Sequence, residues 1–122
     1  MYYDLNVFQG LVKSSQWCYL NERRAFNTLD NLVWTDDDVA DMLCGLLPVD
    51  FQKIVENCTV NDFPGCELMT ADQYRILWHE ATKTRRSIFS SGVIELSLKI
   101  AIFTDNDGEA AGLVTFHTSG GY

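Results

Sequence analysis

The chain has little of what would divide it. Two prolines and eight glycines among 122 residues leave no stretch that reads as a flexible linker. One domain over residues 1–122 is therefore expected, a length that a single core can serve. No apolar run approaches the roughly 20 residues that a membrane-spanning helix needs. The N-terminus shows no basic-then-apolar pattern of a secretory signal, so a cytoplasmic location and no membrane partner are expected. None of the four cysteines, Cys18, Cys44, Cys58 and Cys66, lies in a C-x-x-C pair, which argues against zinc. Four free thiols are the plain expectation, with a Cys58–Cys66 bridge as the alternative. Cations are scarce, nine against 17 acids, for a net charge of −8. That balance opposes indiscriminate binding to nucleic acid, although a few cations gathered on one surface can still hold a phosphate backbone. There are only two histidines, His79 and His117.

What the chain does have is a long alternation at residues 91–103. Ile94, Leu96, Leu98, Ile100 and Ile102 fall on one side, and Glu95, Ser97 and Lys99 on the other. Period-2 alternation predicts a half-buried β-strand, and the β-branched isoleucines suit a pleated surface. Tyr74, Ile76 and Trp78 repeat the pattern, with Arg75, Leu77 and His79 opposite. Residues 112–118 repeat it again, with Val114 and Phe116 inward and Leu113, Thr115 and His117 outward. Residues 104–109 read as a hairpin connection, and residues 119–122 as a loose tail.

Ahead of these strands the period is helical. Asp4 can cap a helix whose stripe is Leu5, Phe8, Leu11 and Val12. Residues 17–20 are a short strand or an extended connection. Asn21 can cap a second helix, Glu22–Leu32, with Ala25, Phe26, Leu29, Leu32 and Val33 inward. Thr35 can cap a third, buried through Val39, Met42, Leu43 and Leu46. Asp36, Asp37 and Asp38 fill its first turn, where the helix dipole favours negative charge; a calcium loop would need a glycine turn and a distal glutamate, both missing. Pro48 stops this helix and can start a fourth, with Phe51, Ile54 and Val55 inward and Lys53 pointing away. Residues 57–70 read as a loop. Helices first and strands after predict an α+β fold, with N-terminal helices on one face of a C-terminal antiparallel sheet.

The other face of that sheet collects Arg75, His79, Glu95, Ser97, Lys99, Thr115 and His117. Such a face is polar simply by meeting water. It is also a candidate acid/base site, because one imidazole can take a proton that another returns. Two histidines lack evident third and fourth ligands for a metal. Lys83, Arg85 and Arg86 form the densest basic cluster, either a solvated turn or a grip on a phosphate backbone.

Residues 45–53, Gly-Leu-Leu-Pro-Val-Asp-Phe-Gln-Lys, resemble the G-L-x-x-x-D-F-x-K segment of the MqsR-type toxins. Residues 76–79 are similar to that family's I-W-Q strand. Residues 96–100 are similar to V-Y-L-K-I, and residues 113–117 to I-V-S-F-K. The resemblance covers most of residues 5–117, and shared order carries it more than any single motif. It implies a RelE-like ribonuclease fold, cleavage of mRNA without the ribosome, and a cognate antitoxin as partner. Of the family's proposed catalytic residues, the lysine is kept as Lys53. The glutamine, tyrosine and second lysine are replaced by His79, Ser97 and His117. The chain is longer than the family pattern, chiefly at residues 57–73, and more acidic.

Two functions follow as expectations. One is an endoribonuclease toxin with Lys53, His79, Ser97, Lys99 and His117 in the catalytic site. Arg75, Lys83, Arg85 and Arg86 would hold RNA. No metal or other cofactor is needed, since the 2′-hydroxyl is the nucleophile. The other is a non-catalytic acidic protein that mimics nucleic acid through Asp36–Asp38, Asp105, Asp107 and Glu109.

Overall fold

The structure is a computed structural model that describes residues 1–60 and 68–118. Cys66, part of the expected loop and the expected tail lie outside the described residues. The elements are α1 (Leu5–Lys13), β1 (Trp17–Tyr19), α2 (Glu22–Leu32), α3 (Asp36–Cys44), β2 (Phe51–Thr59), β3 (Leu68–His79), β4 (Thr84–Arg86), β5 (Val93–Asp105) and β6 (Gly108–Thr118). The sheet runs β1-β6-β5-β3-β2, with β4 also paired to β3. β1 lies parallel to β6, and every other pairing is antiparallel. The fold is α+β, as the order of periodicities predicts. No helix among the described residues is long and apolar enough to cross a membrane.

Local chemistry sets the helix ends. The Asp4 carboxylate accepts from the Val7 amide at 3.1 Å. Thr35 and Asp38 form a reciprocal capping box at the start of α3. The main core joins Phe8 and Val12 of α1, Leu29 of α2 and Met42 and Leu43 of α3 to Tyr74, Ile76, Leu96, Leu98 and Phe116 of the sheet. Two residues of the expected α2 stripe stay outside it. Phe26 is exposed, edge-on to Tyr19. Val33 caps the helix in the left-handed region and is 87% exposed.

The expected fourth helix is a strand. Pro48 starts a single 3-10 turn, closed by Asp50, whose carboxylate accepts from the Leu47 amide at 2.8 Å. The chain then extends into β2, which pairs with β3. Two bulges, at Gln52 and at Glu56–Asn57, interrupt that pairing. Extra residues break the period of two, so Phe51, Ile54 and Val55 take on a helix-like spacing although the backbone is extended. The expected loop at 57–70 shrinks from both sides, because β2 runs to Thr59 and β3 begins at Leu68.

A third bulge shapes the other end of the sheet. Lys99 pairs with Thr115 and Ile100 with Leu113, so Val114 is the extra residue. Leu113 therefore joins the helix-side core, against expectation, and Val114 turns to the opposite face. There it meets Leu20, Cys58, Val60, Ala71, Ala101, Phe103 and Ala110 in a second apolar cluster. Cys58 is a free thiol, as is Cys44. β2 and β6 are separated in the sheet by β3 and β5. Residues of both nevertheless meet in this cluster, so the sheet curls and its concave side is plugged at one end. The Asn21 amide ties the curl. It donates to the Thr59 carbonyl at 3.1 Å and the Val114 carbonyl at 2.7 Å, and makes no cap to α2.

Gly45 follows α3 where the chain passes Trp78. A Cβ there would lie 2.8 Å from the Trp78 ring, which is itself buried. Gly45→Ala should therefore cost about 1–3 kcal/mol by overpacking, read as a lower urea midpoint at unchanged slope.

Candidate functional site

Strand register turns the polar face into a grid. One row across the concave side is Arg75–Ser97–His117. The next is Lys53–Gln73–Lys99–Thr115. Beyond the first row come Leu77–Glu95 and then His79–Val93. Neighbouring strands lie about 4.8 Å apart, and residues two apart on a strand about 6.7 Å. Ser97 and Lys99 are thus the immediate neighbours of His117. Ser97 is 6% exposed and sits at the floor, where Gln73 Nε2 lies 3.5 Å from its Oγ. Arg75 pairs with Glu95 at 3.7 Å.

The two histidines are not brought together. His79 lies about 13 Å along β3 from Arg75, and β3 is two strands, about 10 Å, from β6. One phosphate cannot touch both. His79 has a local partner instead: its Nδ1 accepts from the Thr82 amide at 3.2 Å in the turn before β4. Lys53 shares a row with Lys99 but stands two strands away from it.

The basic cluster divides as well. Lys83 reaches Asp38 of α3 at 2.7 Å, and each group strengthens the other's charge. The Lys83 ammonium holds the Asp38 carboxyl below its usual range, and Asp38 raises Lys83. Arg85 faces the helices across from Trp78. It gives the Asp50 carboxylate two hydrogen bonds, that from Nε at 3.3 Å. Both cations fasten β4 and its turn to the helical layer, and neither is placed to hold RNA on the concave side. Arg86, across from Leu77, is exposed on that side.

The helical layer supplies what strand periodicity misses. α2 lies along the β6 edge beyond β1, where the Thr28 hydroxyl donates to the Phe116 carbonyl at 2.7 Å. This packing lines a cleft of about 350 Å³ with Arg24, Asn27 and Thr28 from α2 and Lys99, Thr115, Phe116 and His117 from the sheet. Arg24 and Asn27 belong to the polar side of a helix, and nothing in the local pattern marks them. Partial burial, and secondarily the Lys99 ammonium, push His117 below the usual imidazole range. It is therefore neutral near pH 7 and able to accept a proton. The cleft can thus hold an oxyanion between Lys99 and Arg24 beside a competent base. Among the described residues no three His, Cys, Asp or Glu side chains gather as a metal-holding group.

No family model matches the chain, and comparison with curated proteins and with solved structures gave no significant match.

Two measurements check this account. Lys99→Gln should move the His117 titration upward, followed by NMR of the imidazole, because one of its two depressing causes is removed. The sign carries into stability. A folded value below the unfolded one means the unfolded chain takes the proton first, so His117 makes stability rise with pH between the two values and adds nothing above the unfolded one. Arg85→Ala should cost about 2–3 kcal/mol in urea denaturation, because it strands the Asp50 carboxylate, while Arg86→Ala should stay within about 0.5 kcal/mol.

Proposed function

We propose that the protein is a metal-independent endoribonuclease, the toxin of a toxin–antitoxin pair acting on mRNA in the cytoplasm. The observation that carries the chemistry is the convergence of His117, Lys99 and Arg24 on one cleft, with Ser97 paired to His117 in the strand register beneath. The resemblance of residues 45–53 and of the strand motifs to the MqsR-type toxins carries the biological setting. In that setting a cognate antitoxin is the second partner.

His117, held neutral, takes the proton of a ribose 2′-hydroxyl. The 2′ oxygen attacks the adjacent phosphorus, and the bond to the 5′ oxygen breaks. Lys99 and Arg24 stabilise the charge on the phosphorane, the role best filled by cations fixed in place beforehand. The imidazolium returns its proton through water to the leaving 5′ oxygen. The products are a 2′,3′-cyclic phosphate and a 5′-hydroxyl. Ser97 orients the phosphate from the floor. Lys53 and Arg75 reach flanking phosphates along the concave side. His79 is outside this chemistry, so the two-histidine pairing gives way to a single imidazole acting twice.

Purified protein should cleave single-stranded RNA equally with and without EDTA. His117→Ala should lower the rate about 10²–10⁴-fold, and Lys99→Ala about 10²–10³-fold, while His79→Ala should leave most of it. The wild-type rate should fall as pH drops through the His117 titration, since protonation removes the base. RNA left intact by the wild type, or cut as well by His117→Ala, would overturn the reading.

A further inference from the structure

The His117 cleft has a neighbour. A second cleft of about 470 Å³ lies toward the curled end of β2, bounded by Asn21, Arg24, Val55, Asn57, Thr59 and Thr115 among others. The two share Arg24, Lys99 and Thr115. Both volumes fall in the range of small-ligand sites, about 300–1,000 Å³.

The chemistry of the two differs. Arg24 and Lys99 stand at the junction, and among the described residues the second cleft adds no further cation. It adds instead the Glu56 carboxylate, the apolar side chains of Val55 and Val114, and the Asn57 amide. A second phosphate is disfavoured there, and a flat, uncharged group with polar edges is favoured. The bulge at Glu56–Asn57 takes these two residues out of the β2–β3 ladder, with Asn57 exposed in the left-handed region at φ 58°. An amide at that place offers one donor and one acceptor edge, the pair that reads a nucleobase. At the junction the Thr115 hydroxyl is buried and has no hydrogen-bond partner among the described residues. A buried hydroxyl left without a partner is unfavourable, and a ligand oxygen seated at the junction is the natural group to pair with it once the side chain turns toward the cleft. Neither Arg24 nor Asn57 belongs to the strand alternation that defines the polar face.

We infer that the second cleft is a nucleoside subsite: it takes the sugar and base of the nucleotide adjoining the scissile phosphate, with that phosphate at the Arg24–Lys99–Thr115 junction. That this phosphate is the scissile one rests on the ribonuclease reading; its place beside a nucleoside rests on the two clefts alone. Among the described residues no aromatic side chain lines the subsite, and the selectivity inferred here comes from hydrogen bonds at the base edge.

The test is a backbone-amide NMR titration of the full chain with the 3′-monophosphates of adenosine, guanosine, cytidine and uridine, and separately with inorganic phosphate. Inorganic phosphate should shift the amides of Lys99 and Thr115. The nucleotides should shift these and also Val55, Asn57 and Cys58, with one base bound most tightly. Asn57→Gly keeps the backbone conformation open, since glycine is at ease at positive φ. It should weaken the preferred nucleotide about five- to tenfold, the value of one lost hydrogen bond, and leave inorganic phosphate unchanged. It should also flatten the base preference of cleavage sites in a random single-stranded RNA pool. Nucleotides that shift only the junction amides, or that bind Asn57→Gly as tightly as wild type, would overturn the subsite. A wild type that binds nucleotides here and leaves RNA intact would overturn the cleavage reading and keep the subsite.

Discussion

One side-chain amide holds the concave half of this molecule in shape. Asn21 is buried at the start of α2, and its two hydrogens go to carbonyls on strands that do not touch in the sheet, Thr59 of β2 and Val114 of β6. The Val114 carbonyl is available because the bulge takes that residue out of register with β5. Bulges in β2 allow the matching bend from the other side. Inside the curl, Leu20, Val60, Ala101 and Val114 bury apolar surface that a flat sheet would leave in water. The result is a sheet with two unequal cores. The large one lies under the helices, and the small one plugs one end of the opposite face. The cleft beside His117 opens where the plug stops, between Thr115 and His117 on β6. The position of the cleft is therefore a consequence of where the curl closes.

The same bends explain what could and could not be read from residues alone. The helices α1 and α3 were legible because capping residues and a 3.6-residue period agree, and α2 from its period alone, since Asn21 does not cap it. Which face Arg75, Ser97, Lys99 and His117 occupy was legible from parity along regular strands. Parity reports a face and not a distance. His79 has the same parity as Arg75, yet lies four residues up β3 and bonds its own turn. Bulges defeat periodicity directly: one hid Leu113 in the core, and two gave β2 the spacing of a helix. Pairings between distant residues have no local signature either. That Lys83 and Arg85 serve Asp38 and Asp50 could be seen only once β4 was placed against the helical layer. Arg24 enters the cleft for the same kind of reason, because α2 runs beside an edge strand that no pattern within α2 specifies.

The charge balance looks opposed to a role with RNA until the charges are placed. Of the nine cations, Lys53, Arg75, Lys99 and Arg24 line the concave side or its rim. Seven of the 17 acids gather elsewhere, Asp36, Asp37, Asp38 and Asp41 on α3 and Asp105, Asp107 and Glu109 at the β5–β6 turn, while Glu95 and Glu56 share the concave side with the cations. At physiological salt, exposed charges further apart than about 8 Å are largely screened from one another. A phosphate in the cleft therefore responds to Lys99 and Arg24 far more than to α3 or the hairpin tip. The net charge acts mainly at long range, where it slows approach to polyanions and discourages non-specific coating of RNA. Under the proposed function, RNA would be held through a few fixed contacts rather than a broad basic field. Recognition under that proposal would depend on the groups beside those contacts, the apolar walls and the amide of the bulged β2 end.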